Sequence, residues 1–483
     1  MRDSKRILII TYKYLPEIAP RVFRWSSLVD YWVKQGHCID VICASFPGQP
    51  NYESIDSSKI YRVTPWFKKT NEKSTNKNNS PLENISENNQ DLSLLDNDHL
   101  EISIKAIEIN PSIIRKIICK FLFILQKIIQ KVKRTLRAVK RSGQKILNNF
   151  KRLQRNYLWP DYGMYWIVPA IKKAVYLIKN NSYDAIITVS WPVSPHVVGW
   201  FIKKYLIKKN INWIVDIGDP FSFNTITPIN NFKIFSKLNS SFERSMLRKA
   251  DSISVTTART KEEYVKFTPG VKEKIFVISP MIPQNNHNNF NLDNYSKSKM
   301  KIVFTGSLRL KNRRPDMFLK LFAESLSNKE INEKFELHFY GDVKQCLSSF
   351  EPYKRLLNKK IFIHGIVSKC VVDEVIRSSD FLLNIGNLTE YQLPSKVVEY
   401  LSANKPIINI TTNINDSSWE VLSISPLATN FFIKDEQIDK DLVSKLINFL
   451  INPPSLLSDD LLKQITLQYQ IEMISESYFE LFD

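Results

Sequence analysis

The chain has 483 residues, 43% of them hydrophobic and 12% aromatic. That is enough apolar side chain for a large core and more length than one domain usually holds, so two globular domains are expected and a disordered or fibrous chain is excluded. The formal charge of +20 is local: no acidic residue lies between Glu108 and Asp161, and residues 115–155 hold fourteen Lys and Arg, leaving about +6 for the rest.

In chain order, RILIIT (6–11) reads as a strand. It is reached from a charged start and followed by prolines without a small-residue cleavage site, so no signal peptide is expected. PEIAPRVFRWSSLVDYWVKQGH then carries apolar residues at helical spacing, with Pro20 suited to the first helical position and Gly36 to the end, before IDVICA resumes as a strand. Glu17 stands in the connecting loop. Arg21 and Arg24 share one face of the helix, either as cations facing a ligand or as surface residues.

Residues 66–157 read as an insertion. Its stretch 69–99 is too rich in Asn, Ser, Lys and acidic residues to offset chain entropy and is expected to be disordered, which makes Asp96 and Asp98 a solvated loop rather than a metal motif. Over 111–157, apolar residues such as Ile114, Ile118, Phe121, Leu125 and Ile128 recur every three to four positions with basic residues opposite, the pattern of a basic amphipathic helix. An anionic membrane surface suits it; so does packing on its own domain or on a protein partner. Nucleic acid does not, because aromatic interleaving and binding motifs are missing. The most apolar window, 113–132, contains five basic residues and is not expected to cross a membrane.

From 161 onward, YDAIITVS, a helix from Ser194, WIVDIG, a helix around FERSMLRKA, SISVTT and IFVISP alternate, which predicts a parallel sheet with crossover helices. His196 and Asp219 both follow strand C-termini, where such sheets place ligands. His196 reads as a ligand-facing or a structural histidine. Asp219 reads as a group that positions or deprotonates an acceptor hydroxyl, or as a turn former. The aperiodic polar run at 284–299 is a linker, so residues 1–283 form the first domain and 300–460 the second, where KIVFTG, FELHFYG, IFIHG, DFLLNIG and PIINIT restart the alternation. Residues 461–483 read as one amphipathic helix that packs back on the first domain. The five cysteines (Cys38, Cys43, Cys119, Cys346, Cys370) are odd in number, scattered and without zinc spacing, which fits a reducing cytoplasm.

Two segments of the second domain call for an anion. In TGSLRLKNRRP, Gly306 lets the chain turn, and Arg309, Lys311, Arg313 and Arg314 crowd the start of a helix over 314–326, with Asn312 as candidate cap. In PSKVVEYLSANKPI, Ser395 is the candidate N-cap, Lys396 falls in the first turn and Glu399 one turn on, and Asn404 and Pro406 end the helix. A cation at a helix N-terminus opposes the macrodipole, whereas a bound phosphate would satisfy both. The alternative is an exposed ion pair worth about 0.2–0.5 kcal/mol.

The run LPSKVVEYLSANKPII resembles the donor-site helix of the GT-B glycosyltransferases of family 4. ILIITYKYLPEIAPRVFRWSSLVDYWVKQGHCIDVIC, SWPVSPHVVG, WIVDIGDP and TGSLRLKNRRPDMFLKLF resemble other parts of that family in the same order, over nearly the whole chain outside the insertion. The resemblance implies an α/β fold of two Rossmann-like doubly wound domains facing a cleft. It implies a hexosyltransferase that moves a sugar from a nucleotide diphosphate sugar to a glycan or polyprenyl-diphosphate-linked acceptor, with retention, in bacterial surface polysaccharide synthesis, in the cytoplasm or peripheral on the inner face of the plasma membrane. No metal or other cofactor is expected. Lys396 would contact the donor diphosphate and Glu399 the ribose hydroxyls; Arg313 or Arg314 would neutralise the leaving diphosphate, beside Gly306, Arg309 and Ser395. His196 would be the active-site histidine, and Glu17, Arg21 and Arg24 would face the acceptor. The family often has two glutamates eight apart here; eight before Glu399 stands Tyr391, with Glu390 next to it as a substitute. The glycine-rich loop after the first strand is replaced by EIAP. A sugar-nucleotide epimerase of related fold, or an inactive nucleotide-sugar-binding scaffold, are the alternatives.

Overall fold

The computed structural model describes residues 3–66, 157–205, 211–283 and 299–482. The stretch 69–99, the basic helix apart from Tyr157, and the linker apart from Lys299 lie outside the described residues.

The first domain contains β1 (Arg6–Thr11), α1 (Pro20–Lys34), β2 (Cys38–Ala44), β3 (Tyr52–Ile55), β4 (Ser58–Val63), α2 (Ile167–Asn180), β5 (Ala185–Val189), α3 (Ser194–Tyr205), β6 (Asn212–Ile217), α4 (Phe232–Lys249), β7 (Ser252–Val255), α5 (Ala258–Phe267) and β8 (Ile275–Val277). They form a sheet of order β3-β4-β2-β1-β5-β6-β7-β8, parallel except for β3. Strands such as AIITV are buried along their whole length because both faces are covered. Trp166, Ala170, Val198, Phe242 and Tyr264 close one face from the α2 to α5 side, and Trp25, Leu28 and Trp32 of α1 close the other.

The second domain contains β9 (Met300–Thr305), α6 (Asp316–Ser325), α7 (Lys329–Lys334), β10 (Phe335–Tyr340), α8 (Leu347–Phe350), β11 (Ile361–Gly365), α9 (Lys369–Ser378), β12 (Phe381–Ile385), α10 (Ser395–Ser402), β13 (Ile407–Thr411), α11 (Ser417–Leu422), β14 (Ala428–Phe432) and α12 (Lys440–Ile451). Its sheet is parallel, in the order β11-β10-β9-β12-β13-β14. The residues of α6 and α12 pack on one face and those of α9 and α10 on the other. The order in which strands are added reverses between β1 and β5 in the first sheet and between β9 and β12 in the second, and such switch points are the crevices where open α/β sheets take ligands.

The C-terminal segment departs from the single helix expected. It divides into α13 (Asp459–Thr466) and α14 (Ile471–Phe479), separated by a short 3-10 turn and an extended Gln470. α13 stays beside α10, whereas α14 crosses to the first domain, where Tyr478 and Phe479 pack on Trp25 and Trp32. The two crossing stretches meet where the Ile282 N–H donates to the Tyr469 carbonyl at 2.9 Å.

The Tyr478 hydroxyl also carries structure: it accepts from Arg24 Nη2 at 3.2 Å and donates to Asp216 Oδ1 at 2.9 Å, all inside the core. Tyr478→Phe, which takes one partner from each of those two buried groups, is expected to cost about 1–3 kcal/mol. Tyr478→Ala, which also opens a cavity, should cost about 3–5 kcal/mol. Urea midpoints check both, and a Phe variant as stable as the parent would contradict this role.

Candidate active site

In the first crevice, carboxylates buried near the strand ends are filled by the protein's own donors. Asp161, fully buried, accepts from the N–H groups of Gly163, Val193 and Ser194 and from the Ser194 hydroxyl. It therefore occupies the N-terminus of α3, where an external anion would otherwise fit. Glu243 accepts from the N–H groups of Phe221 and Ser222 and from the Tyr264 hydroxyl. Burial pushes both carboxyls above their usual range.

Asp216 is the third. Its Oδ2 accepts from Arg21 Nη2 at 2.5 Å and Trp25 Nε1 at 2.8 Å, and its Oδ1 from the hydroxyls of Ser254 at 2.7 Å and Tyr478 at 2.9 Å. Burial alone would raise this carboxyl, but Arg21 and Arg24, with the two hydroxyls, more than offset that and hold it below the usual range.

This network corrects the expectation for Arg24. Only 6% exposed, it donates to the carbonyls of Ser279 and Ile278 and to Tyr478, and faces no acceptor. Arg21 keeps one edge at the crevice, but its guanidinium is committed to Asp216 and to the Ser190 carbonyl at 3.0 Å. Glu17 pairs with Lys13 at 3.1 Å and lines a groove with Tyr12, Tyr14 and Phe46 at the ends of β1 and β2.

His196, in the first turn of α3, is buried; its Nδ1 lies 2.9 Å from Thr188 Oγ1, and its Nε2 has no partner among the described residues. Trp213 Nε1 donates to the same hydroxyl at 3.1 Å, so the Thr188 proton is left for His196 Nδ1 or for the Ile214 carbonyl at 3.5 Å. Burial pulls the His196 pKa down to about 3, with Asp216 opposing and Arg21 adding to the shift, so the ring is neutral.

In the second crevice, cations stand at the loop and helix ends. Gly306 and Gly341 hold φ of 136° and 135°, and a Cβ on Gly341 would lie only 1.9 Å from the Gly306 carbonyl oxygen, so the two loops cross backbone to backbone. The next residues form a tight hairpin with paired Arg309 and Arg313, and Arg309 reaches Asp342 at 3.2 Å. Asn312 does not cap α6, which begins at Asp316 behind Pro315; it instead bonds the Leu388 N–H, Asn387 and Gln392. Arg313 donates to Asn387 Oδ1 at 2.8 Å, and its buried Nε has no partner among the described residues.

Arg314 turns the other way. It bonds Asp316 at 3.0 Å, approaches Glu436 at 3.9 Å and lines a pocket with Met317, Ile385 and Thr411 on the α6 side of the sheet, whereas α10 packs on the opposite face. The guanidinium on the α10 side is therefore that of Arg313, which feels the Tyr400 hydroxyl.

Pro394, not Ser395, is the N-cap of α10, and no side chain caps that end; Ser395 is its first helical residue. Asn404 ends the turn after it at φ 50°. Lys396 Nζ lies 3.1 Å from Glu399 Oε2, and Lys369, at the start of α9, contacts Oε1 and also Asp373. Burial alone would raise Glu399, but the two ammonium groups more than offset that; burial pulls Lys396 down against the pull of Glu399. Lys369 was not anticipated from sequence, where VSKCVVDEV shows only a helix start. Glu390, the expected substitute for a first glutamate, is exposed; its carboxyl accepts from Asn415 at 3.3 Å, and its backbone carbonyl accepts from Ser417.

Between the crevices runs the loop from β12 to α10. The Tyr391 hydroxyl donates to the Phe223 carbonyl at 3.1 Å, its ring packs edge-on against Phe223, and its carbonyl accepts from Thr260. Gln392 accepts from Asn312 and meets the carboxyl of Asp219, which burial raises.

No family model matches the chain, and no curated protein matches it in sequence. Its fold does have solved counterparts. A glycosyltransferase from Rickettsia africae ESF-5 aligns over 100% of this chain and 98% of its own at 13% identity and a TM-score of 0.53. An S. aureus TarM variant in complex with fondaparinux, α-GlcNAc-glycerol and UDP aligns over 99% and 100% at 10% identity and 0.53. An E. coli trehalose-6-phosphate structure bound with UDP-2-fluoro glucose aligns over 99% and 99% at 9% identity and 0.57. The fold is GT-B. In GT-B terms the second domain is the one whose crevice keeps its helix N-terminus open.

Asp416, beside Arg313, is the buried carboxylate of this domain. Its Oδ2 has no partner among the described residues and sits where a Cβ on Gly386 would come within 2.4 Å, and burial pushes its pKa up to about 6. The folded protein thus holds this proton more tightly than the unfolded chain, whose carboxyl titrates near about pH 4. Stability from this group falls as pH rises from about 4 to about 6 and stays reduced above. Asp416→Asn, which keeps an oxygen facing Ser418, is expected to add on the order of 2–3 kcal/mol near neutral pH and to flatten that slope. Urea midpoints on both sides of the window check it; an unchanged slope would contradict it.

Proposed function

We propose that the protein is a glycosyltransferase, similar to family 4, which moves a sugar from a nucleotide diphosphate sugar to a glycan or polyprenyl-diphosphate-linked glycan. The observation that carries the reading is the uncapped N-terminus of α10 bearing Lys396, with Arg313 anchored at the start of the same β12–α10 loop. A cation pressed into a helix N-terminus and a buried guanidinium with an unpaired N–H are matched by one ligand chemistry, a diphosphate. The neighbours add support: two of the solved GT-B structures hold UDP or a UDP-sugar.

In the proposed reaction the bond from the sugar C1 to the β-phosphate oxygen breaks and its electron pair goes to the diphosphate. The acceptor hydroxyl forms the new C1–O bond on the same face and passes its proton to the departing diphosphate oxygen. Arg313, Lys396 and the α10 dipole stabilise the charge that builds on the leaving group, without calling on a metal. Glu399, kept ionised by two lysines, is the ribose ligand. His196 would hydrogen-bond a sugar hydroxyl through Nε2, and Asp219 would position the acceptor hydroxyl. Retention by same-face attack, bacterial surface polysaccharide synthesis, a cytoplasmic setting and a peripheral place at the membrane follow from the family resemblance. Among the described residues no helix is long and apolar enough to cross a membrane.

A thermal-shift screen over UDP, GDP, dTDP and CMP derivatives, followed by product analysis with labelled donor, tests the reading. Transfer to an added acceptor supports it; a donor converted into its epimer, or bound without turnover, would replace it with an epimerase or a scaffold. Lys396→Ala and Glu399→Ala should weaken donor binding with the fold intact. Arg313→Ala should lower kcat on the order of 10²-fold, while Arg314→Ala, losing a half-exposed ion pair, should stay within about threefold.

A further inference from the structure

Two lysines meet Glu399, and they are held unequally. α9 and α10 lie side by side on one face of the second sheet, where Val372, Val375 and Ile376 pack with Val397, Val398 and Leu401. Each follows a strand of a parallel sheet, so both helices begin at its carboxyl edge. Lys369 opens α9, Lys396 is the second residue of α10, and the Glu399 carboxylate stands between their ammonium groups. Lys369 contacts Oε1 and is tied from its other side by Asp373 at 2.5 Å, so two carboxylates clamp it. Burial alone would lower this ammonium, but Glu399 and Asp373 more than offset that and raise it. Lys396 has a single ion-pair partner among the described residues, Glu399 Oε2 at 3.1 Å.

An anion arriving at the open end of α10 therefore meets one lysine held by a single carboxylate and another held by two. The first is the one that can turn to a phosphate. Glu399 would then lose the ammonium on Oε2, and its side chain is only 12% exposed. A buried carboxylate stripped of its countercharge is costly. Lys369, still on Oε1, removes that cost and leaves Oε2 as an ionised acceptor for a neutral donor, which a hydroxyl supplies. Were Lys369 absent, the phosphate and Glu399 would compete for the one ammonium of Lys396.

We propose that Lys369 is a positioning residue that lets Glu399 exchange Lys396 for a ribose hydroxyl when a diphosphate arrives. Diphosphate and ribose are then recognised together, and nucleotides that keep both ribose hydroxyls are favoured over deoxy forms. The proposal rests on the nucleotide-sugar reading of this site and adds to it the source of its ribose selectivity.

The test is calorimetric titration of the full chain with UDP, GDP, ADP and CDP, each beside its 2′-deoxy and 3′-deoxy forms. The parent should prefer a ribonucleotide over at least one of its deoxy forms by about tenfold or more. Lys369→Met should narrow that preference to within about threefold, chiefly by weakening the ribonucleotide. Lys369→Arg, which keeps the charge, should restore it, and Asp373→Asn, which opens the clamp from its far side, should narrow it part-way. Melting temperatures without ligand show that the variants are folded. A merely structural lysine would weaken every nucleotide alike and leave the preference unmoved. That outcome, a Met variant that binds like the parent, or a parent indifferent to the ribose hydroxyls would overturn the proposal while the nucleotide reading stands. A chain that binds none of these nucleotides would overturn both.

Discussion

What fills the positive ends of helices at the two crevices governs the rest of the molecule. A parallel sheet gathers helix N-termini at one edge, and each presents unpaired N–H groups and the positive pole of its dipole. In the first domain the chain answers with its own carboxylate: Asp161 closes α3, and Asp216 and Glu243 gather donors from neighbouring elements. In the second, α10 begins at a proline with no side-chain cap and carries Lys396 in its first turn. One crevice fills its helix end with a carboxylate; the other leaves a helix end without a side-chain cap and with a lysine in its first turn, which suits an anion.

The domains are joined at more than a hinge. Tyr391 stands where the family resemblance leads one to look for a glutamate, and it serves the first domain instead, through the Phe223 carbonyl and ring. Gln392 links Asn312 of the second domain with Asp219 of the first. The same loop begins at Asn387, which holds Arg313. A group bound between Arg313 and α10 would thus press on the contacts that set the distance between the domains. α14 adds a second tie, because Tyr478 completes the donor set of Asp216 from the far end of the chain.

Much of the fold was legible, for a physical reason. Doubly buried strands read as near-continuous hydrophobic runs, so RILIIT, AIITV and PIINIT stand out, and Pro20, Gly36 and Asn404 mark helix ends by their own backbone preferences. The β3–β4 hairpin was missed because YESI is short and polar. The candidate site was legible only where charge defied its local setting, as at Lys396. Which of two adjacent arginines faces α10 depends on a hairpin register that no spacing rule supplies. The pairing of Lys369 with Glu399 spans 30 residues, and that of Asp216 with Tyr478 spans 262. Arg24 read as ligand-facing because helical periodicity gives a face without saying what will cover it; the covering element was α14.

The central claim is that a pyrophosphate is gripped between the Arg313 hairpin and the open end of α10. A crystal structure of the chain with a bound UDP-sugar, or with whichever nucleotide donor binds best, tests it most directly. The account predicts diphosphate oxygens in contact with the Arg313 guanidinium and Lys396, and the ribose at Glu399. A nucleotide seated against Arg314 and Glu436 on the α6 side, or in the first crevice, would contradict it.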